Sequence, residues 1–260
     1  MNGIAALALL ACLDHFEEAA EKINFPSDEI QAQWARKSDV HRKLVKTITD
    51  RKGWAKAFET IQKKLGLGPG KVDIDVVFFE SEGKRLAESK GSCGVGTVRF
   101  NMKLLAPFQK QLDEIDLEMK GGKLAPWIVP PRRLDVMITH ELTHVLSGSC
   151  NETWVAEGLA TFAAGDDSFL YEFNLRGGRV EALNRAPSED DAYSRGLSFF
   201  RWMEKEHGSD LLKSFAQRVA TGTEKTDAVA ADLLGKSWEQ ILLREKAWST
   251  VYMAGFKTAR

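Results

Sequence analysis

The stretch His140-Glu141-Leu142-Thr143-His144 is where this sequence carries chemistry. On a helix, two residues four apart sit one turn from each other and project from the same face. Two imidazoles so placed can share one Zn²⁺ ion, and Glu141 then lies beside any water the ion keeps. Such an ion lowers the pKa of its water from about 16 to about 7, so the pattern points to hydrolysis. Leu134, Ile138, Leu142 and Val145 fall on one side of the same helix and His140 and His144 on another. One face can therefore anchor in a core while the other presents ligands.

A catalytic zinc takes three protein ligands and leaves a position open. The segment from Asn151 to Ala164 reads as a second helix with Asn151 as its N-cap. Gly158, Ala160, Ala163 and Ala164 are small, so this helix can come close to the first. Glu157 sits among Val155, Ala156, Leu159 and Phe162. A carboxylate is expensive to bury there unless it is paired or bound to metal, which makes Glu157 the candidate third ligand. The plain alternative is an exposed glutamate on the outer face. Thr161, one turn later, is a candidate donor to a ligand.

His140-Glu141-x-x-His144 followed by Trp154-Val155-Ala156-Glu157-Gly158-Leu159-Ala160 resembles the gluzincin metallopeptidases, the clan of thermolysin-like and M1 aminopeptidase-like enzymes. The W-x-x-E-G-x-A form is most similar to the M1-like branch of the peptidase MA-like type. The resemblance is specific over residues 133–205. It implies an α+β, predominantly α fold: a zincin-like (thermolysin-like) catalytic domain with a small β-sheet and a C-terminal helical lobe. It also implies one Zn²⁺ held by His140, His144 and Glu157, with Glu141 as general base in peptide-bond hydrolysis.

Ala192-Tyr193-Ser194-Arg195-Gly196 and the apolar run after it resemble that branch's Tyr-x-x-Gly stretch. The role carried onto Tyr193 is stabilisation of the tetrahedral intermediate. A tyrosine at an ordinary helix start is the alternative, because Ser188 and Asp191 form an S-x-x-D capping box. The branch's G-x-M-E-N motif, whose glutamate holds a substrate's free amine, is not found. The candidate strand reads Gly94-Val95-Gly96-Thr97-Val98-Arg99-Phe100-Asn101 instead. An endopeptidase is therefore expected over an aminopeptidase. Two other readings stay open: a zincin-fold binding or scaffold protein without turnover, and a hydrolase of a non-peptide amide or ester.

The remaining elements must position these residues. Residues 14–68 read as helical packing material. Phe16, Ala19, Ala20 and Ile23 form a stripe closed by Pro26, Ser27 caps a second helix, and Trp54, Phe58, Ile61 and Leu65 form a later stripe stopped at Gly66. Val72 to Phe79 alternates as a strand, Glu80 to Ser92 reads as a polar loop, and Gly94 to Asn101 as a second strand. That second strand is either an edge strand beside the cleft or an internal strand with bulges. Leu104 to Met119 reads as a helix broken at Gly121-Gly122, and Pro130 and Pro131 lead into the motif helix, which ends at Gly148. Three further helices are expected after residue 210, the last opened by a Ser237-x-x-Gln240 capping box. Residues 70–260 form the expected catalytic unit, its helical part starting near residue 188.

At 260 residues, 43% hydrophobic and 28% charged, with net charge −1, the composition is that of a globular chain without the basic bias of a nucleic-acid binder. No run approaches the roughly 20 apolar residues of a membrane span. Residues 1–12 read either as a signal segment, with Leu9-Leu10-Ala11-Cys12 as a lipobox and a lipid anchor at Cys12, or as the start of a buried helix. Export and retention are both open. Cys93 and Cys150 are either a disulfide pair or two buried thiols. The expected partner is a peptide or protein substrate.

Overall fold

Alternation of apolar residues along Asp73–Phe79 does produce a strand, and that strand seeds a small sheet. The computed structural model describes residues 15–120, 133–148, 152–166 and 192–257. The expectations for Cys12, Gly121-Gly122, Pro130, Pro131, Cys150, Asn151, Ser188 and Asp191 lie outside the described residues. Strands β1 (Ile23–Asn24), β2 (Asp73–Phe79), β3 (Ala87–Ser92) and β4 (Val95–Asn101) are ordered β1-β2-β4-β3. β1 and β4 run parallel to β2, and β3 runs antiparallel to β4.

The register places side chains in cross-strand rows. On the inner face these are Ile74–Gly96–Gly91, Val76–Val98–Ser89 and Phe78–Phe100–Ala87. Ile74, Val76, Phe78, Val98 and Phe100 are buried. The other face is mixed, with Asp73, Asp75 and Arg99 beside Val77 and Phe79.

Two expectations need correction here. Residues 15–21 are helical, but Ile23 belongs to β1 rather than to that helix. A two-residue strand is too short to show a period, and Ile23 is buried in either arrangement. Residues 87–92 form a strand instead of continuing the loop. Ala-Glu-Ser-Lys-Gly-Ser has little intrinsic strand preference, so β3 depends on its partner and on its turn. Cys93 and Gly94 join it to β4 with φ of 52° and 84°, the positive pair of a two-residue type I′ hairpin. Of the two arrangements left open for the second strand, the internal one holds: among the described residues β4 is internal and β3 lies at the edge.

Helices dominate the rest. Residues 15–21 form α1, followed by α2 (Asp28–Ala35), α3 (Asp39–Ile48), α4 (Arg51–Leu65), α5 (Met102–Lys120) and α6 (Leu134–Ser147). After these come α7 (Thr153–Ala164), α8 (Ala192–His207), α9 (Ser209–Ala220), α10 (Thr226–Leu234) and α11 (Trp238–Lys257). The ends obey local chemistry. The Ser27 hydroxyl accepts from the Ile30 amide, and Gly66 closes α4 in the left-handed region. Ser237 and Gln240 satisfy each other's amides at 3.2 and 3.3 Å, the reciprocal box read from sequence. The result is an α+β fold, mostly helical, with one four-stranded sheet.

The buried apolar residues form one cluster that includes Phe16 at one end of the chain and Ile241 near the other. Trp54, Phe58, Ile61 and Leu65 are all fully buried on α4, which packs against α6 and α7. Each such side chain contributes about 1.5–3 kcal/mol.

One ion pair crosses this interior. Arg195 on α8 donates to Glu245 on α11, with both side chains nearly inaccessible. The Arg195 guanidinium also lies 5.1 Å from the Trp154 ring centroid. Burial pushes the Glu245 carboxyl up to about 7, against the opposing pull of Arg195. A neighbouring bond between the Ser198 and Ser249 hydroxyls, 2.8 Å long, ties the same two helices. Removing one partner of a buried pair strands the other charge. Glu245→Ala should therefore lower unfolding free energy in denaturant titrations by about 3–5 kcal/mol, while Arg195→Met with Glu245→Leu should cost much less.

Candidate metal centre

Helix α6 is built to hold one face still. Leu134, Ile138, Leu142 and Val145 are buried, whereas His140, Glu141 and His144 are half-buried. The hydroxyls of Thr139 and Thr143 donate to the carbonyls of Asp135 and Thr139, so these polar side chains are satisfied within the helix. Gly148 ends the helix with φ of 71°. The β3–β4 turn is pinned to the last turn of α6, because the Gly94 amide donates to the Val145 carbonyl at 3.0 Å.

Helix α7 brings Glu157 to the histidines. Its N-cap is Glu152, with no side-chain cap bond; the Glu152 carboxylate instead accepts from the Trp154 indole at 2.8 Å. At the other end, Lys64 donates to the carbonyls of Phe162 and Ala163 at 3.0 and 2.9 Å, where a cation suits the helix dipole. The small residue Gly158 does serve close approach, but toward α8 rather than toward α6 as expected. A Cβ on Gly158 would lie 2.6 Å from the Gly196 Cα, and a Cβ on Gly196 would lie 2.3 Å from the Trp154 carbonyl oxygen. The two helices therefore touch backbone to backbone, next to Glu157 and one turn beyond Tyr193.

Three ligand atoms converge as a result. The Nε2 atoms of His140 and His144 are 3.1 Å apart. The Glu157 Oε2 is 3.2 Å from the first and 3.3 Å from the second. Ligands about 2.0–2.1 Å from a tetrahedral Zn²⁺ are about 3.3 Å from one another, so the triangle has the size of one face of that tetrahedron. Glu157 Oε2 is also buried without a hydrogen-bond partner among the described residues, although the two ring nitrogens are so near. Such an orphan calls for an ion or a proton.

These three residues could hold a metal ion, and among the described residues no other His, Cys, Asp or Glu joins their group. Burial pushes the Glu157 carboxyl up, but the two imidazoles outweigh it and hold it well below the usual carboxylate range. Burial pulls His144 down, and Glu157 and Glu141 more than restore it.

The cluster opens into a cavity of about 510 Å³. Glu141 and Tyr193 both line it, so all five residues singled out from sequence meet in one place. The Tyr193 ring stacks on His140 at a centroid distance of 5.9 Å. Burial raises the Tyr193 hydroxyl far above its ordinary value, and the charges of Glu157 and Glu141 raise it further. Its protonated form is thereby favoured. Thr161 does not support a ligand side chain, because its hydroxyl donates to the Glu157 main-chain carbonyl at 2.6 Å.

Among the wall residues that sequence reasoning missed are Arg85, Ser89 and Asp166. Arg85 and Ser89 fell in the supposed loop, and only the Cys93-Gly94 turn signal could have exposed the strand there. Cys93 is exposed, not buried as one expectation had it.

No protein-family model and no curated protein sequence matches the chain. Among solved structures, it is similar to an M1 zinc metallopeptidase from Deinococcus radiodurans at 15% identity and a TM-score of 0.44, covering 75% of this chain. The overlap spans 43% of that enzyme's chain, so less than half of its length has a counterpart here. Likeness of that degree says nothing of activity.

The Gly158–Gly196 contact makes a prediction. Gly196→Ala should cost roughly 1–3 kcal/mol of stability by denaturant titration. Zinc affinity, measured by chelator competition, should fall with it, whereas Gly208→Ala on the open surface should leave metal affinity unchanged.

Proposed function

We propose that this protein is a zinc-dependent peptidase of gluzincin type. The observation that carries the reading is the triangle of His140, His144 and Glu157 ligand atoms, 3.1–3.3 Å on a side, facing a cavity that Glu141 and Tyr193 share. A Zn²⁺ ion bound there would supply a Lewis acid and a water nucleophile at neutral pH. Three ligands rather than four among the described residues support an open, catalytic site, since a structural zinc is closed by its protein ligands.

The roles of the protein groups follow from their placement. Glu141 accepts a proton from the attacking water and returns it to the leaving nitrogen. Tyr193, held protonated, donates to the carbonyl oxygen as negative charge develops on it. Edge strand β3 borders the cavity through Ala87, Glu88, Ser89 and Gly91. No strand among the described residues pairs with its outer side, whose main-chain groups can meet an extended peptide, which favours a polypeptide substrate over a small amide or ester. The strand carries no G-x-M-E-N sequence, which favours cleavage within chains. The order of H-E-x-x-H, W-x-x-E-G-x-A and Y-x-x-G along the chain supports the M1-like branch and a zincin-like fold.

The test is hydrolysis of an unbiased peptide mixture by the zinc-loaded protein, with cleavage sites read by mass spectrometry. Cleavage should stop on addition of a chelator and return with Zn²⁺. Glu141→Gln should keep stoichiometric zinc and lose cleavage, and Glu157→Ala should lose zinc. No cleavage by a protein with full zinc occupancy would favour a binding protein on the same fold.

A further inference from the structure

Ser89 is the only polar side chain in the three inner rows of β2, β4 and β3, the others being apolar residues or glycine. A lone hydroxyl on such a face has a use that can be identified. The Ser89 Oγ donates to Glu141 Oε2 at 2.7 Å, across 52 residues of sequence. This is a short, charge-assisted bond, of a kind about twice as strong as a neutral one. The other oxygen, Oε1, has no hydrogen bond among the described residues. One carboxylate oxygen is thus held and the other is left to act.

The strand cannot drift away from the helix. Its turn is fixed to α6 by the bond from the Gly94 amide to the Val145 carbonyl. Its other face is tied by Arg99, which donates to Glu88 at 2.5 Å. Ala87 and Gly91, the inner-face neighbours of Ser89, are small, and β3 packs directly on α6.

We propose that Ser89 is a positioning residue, which sets the Glu141 carboxylate against whatever extended substrate lies along the outer side of β3. The strand that meets the substrate thereby also aims the proton acceptor. This inference rests on the peptidase reading for its kinetic consequence, but its structural consequence stands apart from it.

The experiment compares wild type, Ser89→Ala and Ser89→Thr as zinc-loaded full chains, using a peptide substrate found in the mixture assay. A charge-assisted hydrogen bond of about 1.5–3 kcal/mol corresponds to a kcat loss of roughly ten- to a hundredfold in Ser89→Ala. KM and zinc content should be unchanged, and Ser89→Thr should restore most of kcat. Crystal structures of wild type and Ser89→Ala should show the Glu141 carboxylate turned to another rotamer in the variant. Unchanged kcat with Glu141 in place would overturn the inference while leaving the peptidase reading intact. If the wild type cleaves nothing, the peptidase reading falls alone and the Glu141 rotamer still decides the role of Ser89.

Discussion

Everything at the site depends on two helices whose backbones touch. Gly158 on α7 and Gly196 on α8 leave no room for a Cβ on either side. Each is a short step from a residue that matters: Glu157 precedes Gly158, and Tyr193 lies three positions before Gly196. The contact therefore sets the depth of a carboxylate and a phenol together. Glycine costs a helix interior up to about 1 kcal/mol against alanine, and here that cost secures a separation no larger residue permits. The buried ion pair of Arg195 with Glu245 ties α8 to α11, and the Lys64 bonds tie the end of α7 to α4.

The metal triangle is the electrostatic counterpart of that constraint. Two imidazole nitrogens and a carboxylate oxygen sit within 3.3 Å of one another, and Glu157 Oε2 is buried with no hydrogen bond among the described residues. A buried carboxylate is tolerated when it is paired or ligates a metal. The side chains are thus preorganised by packing: α6 is fixed by its apolar face and α7 by its glycine contact.

The parts that were legible in the sequence were those with a period or a fixed spacing. The stripe of Trp54, Phe58, Ile61 and Leu65, the alternation of Ile74, Val76 and Phe78, and the four-residue step from His140 to His144 each encode local geometry directly. Ser237 and Gln240 encode a cap in the same way. The misread parts depended on partners distant in sequence. Residues 87–92 lack strand propensity and become β3 only by pairing with β4. Ile23–Asn24 becomes a strand only beside β2. The smallness of Gly158 was visible, but its partner Gly196 was not, because that meeting is set by tertiary packing. Ser89 was invisible for the same reason, since a hydroxyl gains a role only when a strand places it against α6.

The measurement that bears most directly on the central claim is a crystal structure of the protein grown with zinc, with anomalous data collected on both sides of the zinc absorption edge. The account predicts one edge-dependent peak per chain, about 2.0–2.2 Å from the Nε2 atoms of His140 and His144 and from a Glu157 carboxylate oxygen, with no fourth protein ligand. A fully occupied zinc elsewhere with this triangle empty, or a fourth protein side chain closing the coordination sphere, would contradict it.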